Sequence, residues 1–213
     1  MVYEKTFYQK INTVADWIIR IIMLNILMII TSLPVITIFP SIAAGYKMFR
    51  RYIHKDEEKL FKGYFEFFLQ DFGKKFSVGL VLIVIIGLGY LNVTYYVDLL
   101  NVNNNIFYLV GYYLTLAVLI SAFIIMLYTM SILYILPKIK LVLLFKLAFY
   151  LSGKYFFKTV LLVLTTIVPF LMLMLPITQI MFVFAGISIP LLLNVLITDS
   201  VVEYIEGLVK DDV

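Results

Sequence analysis

Thirteen of the seventeen Lys and Arg residues fall in two short stretches, 47–75 and 138–158, while the long apolar runs around them carry almost no charge. A Lys or Arg at the centre of a bilayer costs about 2.5–3.5 kcal/mol on insertion scales, and cytoplasmic loops retain such residues preferentially. This pattern specifies an integral membrane protein with both basic stretches on the cytoplasmic side. The chain is 63% hydrophobic and 14% charged, whereas about a quarter of an average soluble domain is charged. A single membrane domain over residues 1–213 accounts for it. The net charge of +4 has no separate domain to carry it, so it points away from nucleic acid and towards anionic lipid head groups, each nearby basic residue adding about 1 kcal/mol of attraction. Without cysteine, disulfides, Cys-ligated zinc and thiol nucleophiles are excluded.

Lys5 and Lys10 precede the first apolar run with no small-residue cleavage site after it, and the N-terminus reads as a retained cytoplasmic start. That run, Trp17 to Leu33, contains only Arg20 and Asn25 as strongly polar residues. Pro34 and Pro40 bracket PVITIFP, and each disfavours helix in the residue before it. A bend belongs here, followed by a short helix with Pro40 in its first turn that runs into Lys47, Arg50 and Arg51. The result is a helical hairpin over 1–54. One long span from Trp17 to Phe39 is the alternative, and Lys5, Lys10 and Arg20 argue against the external N-terminus it would require.

In residues 55–76, Phe61, Phe65, Phe68, Phe72 and Phe76 recur every three or four residues among charged ones that include Lys74 and Lys75. This is the period of an amphipathic helix in the membrane surface, here an elbow into the next span. That span, Ser77 to Val97, offers Gly79, Gly87 and Gly89 for close helix approach. The lysine-free loop 98–105 fits the outer face. Ile106 to Leu136 carries no charge or proline and would be about 46 Å long, more than the roughly 30 Å hydrocarbon core. Residues 138–158 form a second aromatic, basic elbow; Thr159 to Leu175 crosses outward, Pro176 turns the chain, and Thr178 to Thr198 returns to a polar tail. The fold expected is an all-α, polytopic transmembrane helical bundle of about six crossings, the second one short, with two amphipathic cytoplasmic elbow helices. Its segments are the hairpin 1–54, an elbow plus hairpin over 55–136, and a similar unit over 137–213. Both termini lie in the cytoplasm of a multi-pass cell-membrane protein.

The order of Trp17, Asn25, Leu33-Pro34, Pro40, Ala43-Ala44, Arg50-Arg51 and the Phe-rich elbow resembles the YesL-like family of bacterial membrane proteins of unknown function. The resemblance covers about residues 7–82, and Phe39 departs from the Gly that commonly precedes the second proline. It implies no catalytic residues. It also implies an association with sugar-specific ABC importers and glycan-degrading enzymes of Gram-positive bacteria, and hence an accessory role in carbohydrate uptake.

Catalysis needs acids, bases or nucleophiles that converge in a pocket. The single histidine, His54, sits in a charged turn with Asp56, Glu57 and Glu58, and neighbours in sequence do not face one point on a helix. Ser152-Gly153-Lys154 echoes a phosphate loop but lacks its upstream glycine. The chain is thus expected to be no enzyme and to need no cofactor or metal. Arg20 can pair with Asp16 one turn earlier and reach the interface. Asn25, Gln179 and Asn194 are the intramembrane polar candidates. Pro34, Pro40, Ala43, Ala44, Gly45, Gly79, Gly87 and Gly89 are the candidates for helix packing or partner contact, and the elbow phenylalanines with Lys74 and Lys75 for contact with lipid or a partner. The leading expectation is an accessory, assembly or regulatory subunit bound to a sugar ABC importer permease. The alternative is a stand-alone small-solute permease or channel gated by the proline-broken hairpin.

Overall fold

The structure, a computed structural model, describes residues 2–56, 59–103 and 105–211, with side chains from Ile11 to Lys210 within those ranges. It is all-α. Helices α1 (Val2–Thr31), α2 (Ile38–Ile53), α3 (Leu60–Leu69), α4 (Phe72–Val102) and α5 (Ile106–Ile135) are followed by α6 (Leu141–Lys154), α7 (Phe156–Met174), α8 (Pro176–Met181) and α9 (Ser188–Asp211). Five of these are long and apolar enough to cross a membrane: α1 from Ile11, α4, α5, α7 and α9 to Lys210. By helix length and hydropathy this is a multi-pass membrane protein. The expected short crossing is α2, whose 16 residues reach about 24 Å, short of the roughly 30 Å core.

The chain forms two compact units, one made of the residues up to Gln70 with Leu164–Leu196, the other of Asp71–Val163 with the chain from Ile197 onward. In the first, α1 stops at Thr31 and Pro34 precedes a 3-10 turn, Val35–Thr37. The Thr37 hydroxyl donates to Thr31 O at 2.6 Å and to Pro34 O at 2.7 Å, closing the bend. Pro40 then sits in the first turn of α2, as the sequence leads one to expect, where its missing N–H would have had no helical partner anyway. Ala43, Ala44 and Gly45 are buried. A Cβ on Gly45 would press on Met28 Sδ and stand 3.0 Å from Leu191 Cδ2, so the small residues let α2 approach its neighbours within the unit.

The elbow differs from the expectation of one helix over 55–76. It breaks at Gln70–Asp71, where Asp71 takes a left-handed conformation, φ 51°, which Asp tolerates better than most residues. Phe61, Phe65 and Phe68 therefore belong to α3, and Phe72 and Phe76 to the start of α4. Helix α3 packs on α2 through Gly63, Tyr64 and Phe67, leaving Phe61, Phe65 and Leu69 exposed.

In the second unit α4 packs on α5 and α5 on α6. The loop expected over 98–105 is shorter, because α4 continues to Val102. Asn105 then caps α5, its Oδ1 accepting from Phe107 N at 3.0 Å. Gly89 faces Leu119 and Gly111 faces the Tyr96 ring, both too close to admit a Cβ unmoved, while Gly87 meets open space. Gly79 is buried. Leu144, Ala148 and Leu151 form the buried stripe of the amphipathic α6. The expected polar tail is instead the end of helix α9, because Val201, Val202 and Ile205 form a buried apolar stripe within it. Tyr204 beside that stripe meets Tyr155 edge-on at 6.2 Å, and Lys154 Nζ lies 3.2 Å from the centre of the Tyr204 ring.

Candidate functional site

The last apolar region is not one continuous helix. After α8 comes a π-helical turn, Phe182–Gly186, and only then α9. Such a turn widens the backbone spacing to i→i+5 and marks functional or strained positions. Gly186 is required there, since a Cβ would run into the Phe182 ring. The break leaves carbonyls at the end of one helical piece and N–H groups at the start of the next without helical partners, and in hydrocarbon each such group costs several kcal/mol.

Asn25 supplies the partners. It lies fully buried on α1, which packs against the π turn. Its Nδ2 donates to Phe182 O at 2.9 Å and to Val183 O at 2.8 Å. Its Oδ1 accepts from Ile187 N at 2.8 Å and from Ser188 N at 2.9 Å. Two donors and two lone pairs are the whole capacity of a carboxamide, so this side chain is fully engaged by backbone.

A second polar cluster stands where α1, α2 and α3 meet. Thr31 Oγ1 lies 2.7 Å from Ser41 Oγ and 2.6 Å from the Tyr64 hydroxyl, and the latter two are 2.9 Å apart. The ring of hydroxyls is anchored at Leu27 O by Thr31 and at Met28 O by Ser41. Burial pushes the Tyr64 phenol above its ordinary pKa, with the bonds to Ser41 and Thr31 pulling in the other direction, so it remains a neutral donor. Sequence reasoning missed Ser41 and Tyr64. The available signal was the one tyrosine in FKGYFEFF, a hydroxyl among rings.

The other candidates are scattered. Gln179 is exposed and its Nε2 donates to Leu173 O at 2.9 Å, capping the end of α7. Asn194 is buried on α9, about 9 Å along the helix from Ser188. Arg20 pairs with Asp16 at 2.8 Å, as its spacing suggests, and lies 4.2 Å from the Tyr52 ring centre. Lys47 Nζ, 2.7 Å from Gln70 Oε1, and Arg51 both stack on Phe67, at 4.3 and 5.7 Å from its centre. Arg51 also pairs with Asp56 at 3.1 Å. Glu57 and Glu58 lie outside the described residues. Lys74 and Lys75 are half-buried in the first turn of α4. Among the described residues, no three His, Asp or Glu side chains gather as a metal site would require.

Residues 21–93, roughly a third of the chain, match the profile of a family described as "Protein of unknown function, DUF624". No curated protein and no solved structure matches the chain. The matched segment contains Asn25 and the Thr31–Ser41–Tyr64 cluster but not the broken helix that Asn25 holds.

Replacing Asn25 with Leu is expected to destabilise the protein by about 2–4 kcal/mol. Four bonds at about 0.6 kcal/mol each set the lower bound, and stranded backbone groups at about 1–3 kcal/mol raise it. Gln179→Leu, at an exposed cap, should stay within about 1 kcal/mol of the unaltered protein. Thermal unfolding in detergent, both variants side by side, distinguishes the two.

Proposed function

We propose that this protein is a non-catalytic membrane subunit that assembles with the permease of a bacterial carbohydrate ABC importer in an accessory, assembly or regulatory role. The observation that carries the reading is the full engagement of Asn25. A pathway for a sugar needs several polar groups free to exchange partners near mid-membrane, and the amide best placed for this is bound on all four sides by backbone. Gln179, on α8, is exposed and donates to Leu173 O at the end of α7 rather than standing beside Asn25. The importer as partner rests on the resemblance of the N-terminal third to the YesL-like proteins, and the cell membrane of a Gram-positive bacterium is the setting that resemblance implies. In this reading both termini and both elbows face the cytoplasm, where lysines on amphipathic helices also attract anionic lipids.

One observation favours the second reading, a stand-alone permease. A span interrupted by a π turn resembles the discontinuous helices at transporter binding sites. For transport, Asn25 would have to exchange backbone for solute during each cycle.

Mild-detergent isolation of the natively expressed protein should recover a sugar-importer permease in fixed proportion to it. Recovery of the protein alone, together with solute uptake by vesicles containing only this chain, would move the assignment to the permease. The absence of native cysteine allows a clean test of orientation. His54→Cys should react with an impermeant maleimide only from the cytoplasmic side, and Asn103→Cys only from outside; the reverse pattern would invert the topology.

A further inference from the structure

A slot of about 320 Å³ opens between α4 and α5 beside α6, lined by Leu82, Ile85, Leu114, Ala117, Ser121 and Phe145 among others. It arises from side-chain size. Where α4 and α5 touch, Gly89 meets Leu119 and Gly111 meets Tyr96; where Ala117, Ser121 and Ala122 face Leu82 and Ile85, the small side chains leave the helices with space between them. The walls are hydrocarbon. Ser121, the single hydroxyl-bearing residue in the lining, spends its Oγ on Ala117 O at 2.8 Å. The lining on α5 runs from Leu114 to Ile125, about 16 Å along the helix axis, so the space is long and narrow. Its volume falls in the range of about 300–1,000 Å³ typical of small-molecule sites, and its hydrocarbon walls offer water few partners.

Both helices that form the slot are long enough to cross a bilayer, and Leu82 lies about 15 Å along α4 from Phe72. At that depth the surrounding medium is acyl chain. Phe145 brings the second elbow helix to the slot, and Lys138, Lys140 and Lys146, on and just before that helix, are all exposed. Exposed lysines at a membrane surface favour anionic head groups. We propose that the slot holds one acyl chain of an anionic membrane phospholipid, whose head group rests on these lysines.

The test uses the full chain in nanodiscs doped with phosphatidylglycerol that carries a photoreactive diazirine on one acyl chain. Parallel samples carry the same chain on phosphatidylcholine or as free fatty acid, and adducts are mapped by peptide mass spectrometry. Adducts should concentrate several-fold on 82–85 and 114–125 relative to the exposed face of α7, and phosphatidylglycerol should exceed both comparators. Ala117→Phe, at an exposed position, should abolish the enrichment; Ser121→Leu serves the same purpose if the larger residue prevents folding. Lys140→Gln with Lys146→Gln should remove the preference for the anionic lipid while leaving the adducts in place. Adducts spread evenly over α4, α5 and α7 would overturn the proposal, as would free fatty acid labelling the slot as well as phosphatidylglycerol does.

Discussion

The carboxamide of Asn25 binds two carbonyls and two N–H groups of a helix more than 150 positions away in sequence. In water an interruption such as Phe182–Gly186 would be solvated at little cost. In hydrocarbon the same backbone groups must find partners in protein, so the first span and the last must meet at one height and one rotation. That requirement fixes α1 against the π turn. The residues that bring α2 in are small: Gly45 fits against Met28 of α1 and Leu191 of α9 only because it lacks a Cβ. Polar satisfaction in one span and close packing in another are thus linked through α1.

The same logic extends to the elbow. The Thr31, Ser41 and Tyr64 hydroxyls satisfy one another where three helices converge. Beside them, Lys47 and Arg51 rest on the Phe67 ring, an arrangement worth about 0.5–1 kcal/mol at exposed sites and more when desolvated. Basic residues that a charge count assigns simply to the cytoplasmic side therefore also hold α3 against α2. The opposite face of α3, with Phe61, Phe65 and Leu69, stays exposed. An elbow clamped on one side and apolar on the other suits a helix lying at the membrane surface.

Much of this was legible in the sequence wherever the determinant was local. Charge segregation located α1, α4, α5 and α7, the Pro34–Pro40 bracket located the bend, and the spacing of Asp16 and Arg20 gave their ion pair. What stayed hidden depends on long-range contacts or on backbone choices that leave weak signals. The left-handed Asp71 splits the elbow although the Phe period runs on through it, because periodicity reports a face and not continuity. The π turn carries no motif beyond Gly186. Asn25 stood out as an intramembrane amide, but its partners are backbone groups, which no side-chain pattern encodes. The end of α9 read as a tail because Asp199, Glu203 and Glu206 outweigh Val201, Val202 and Ile205 in composition, although the latter decide the packing.

The most direct test of the Asn25 bridge is amide hydrogen exchange at Ile187 and Ser188, in the unaltered chain and in Asn25→Leu, which removes both the acceptor and the donors of the carboxamide. Slow exchange at both amides is expected in the unaltered chain, and faster exchange in Asn25→Leu. Rapid exchange at Ile187 and Ser188 in the unaltered chain, or protection indifferent to the residue at position 25, would contradict the bridge.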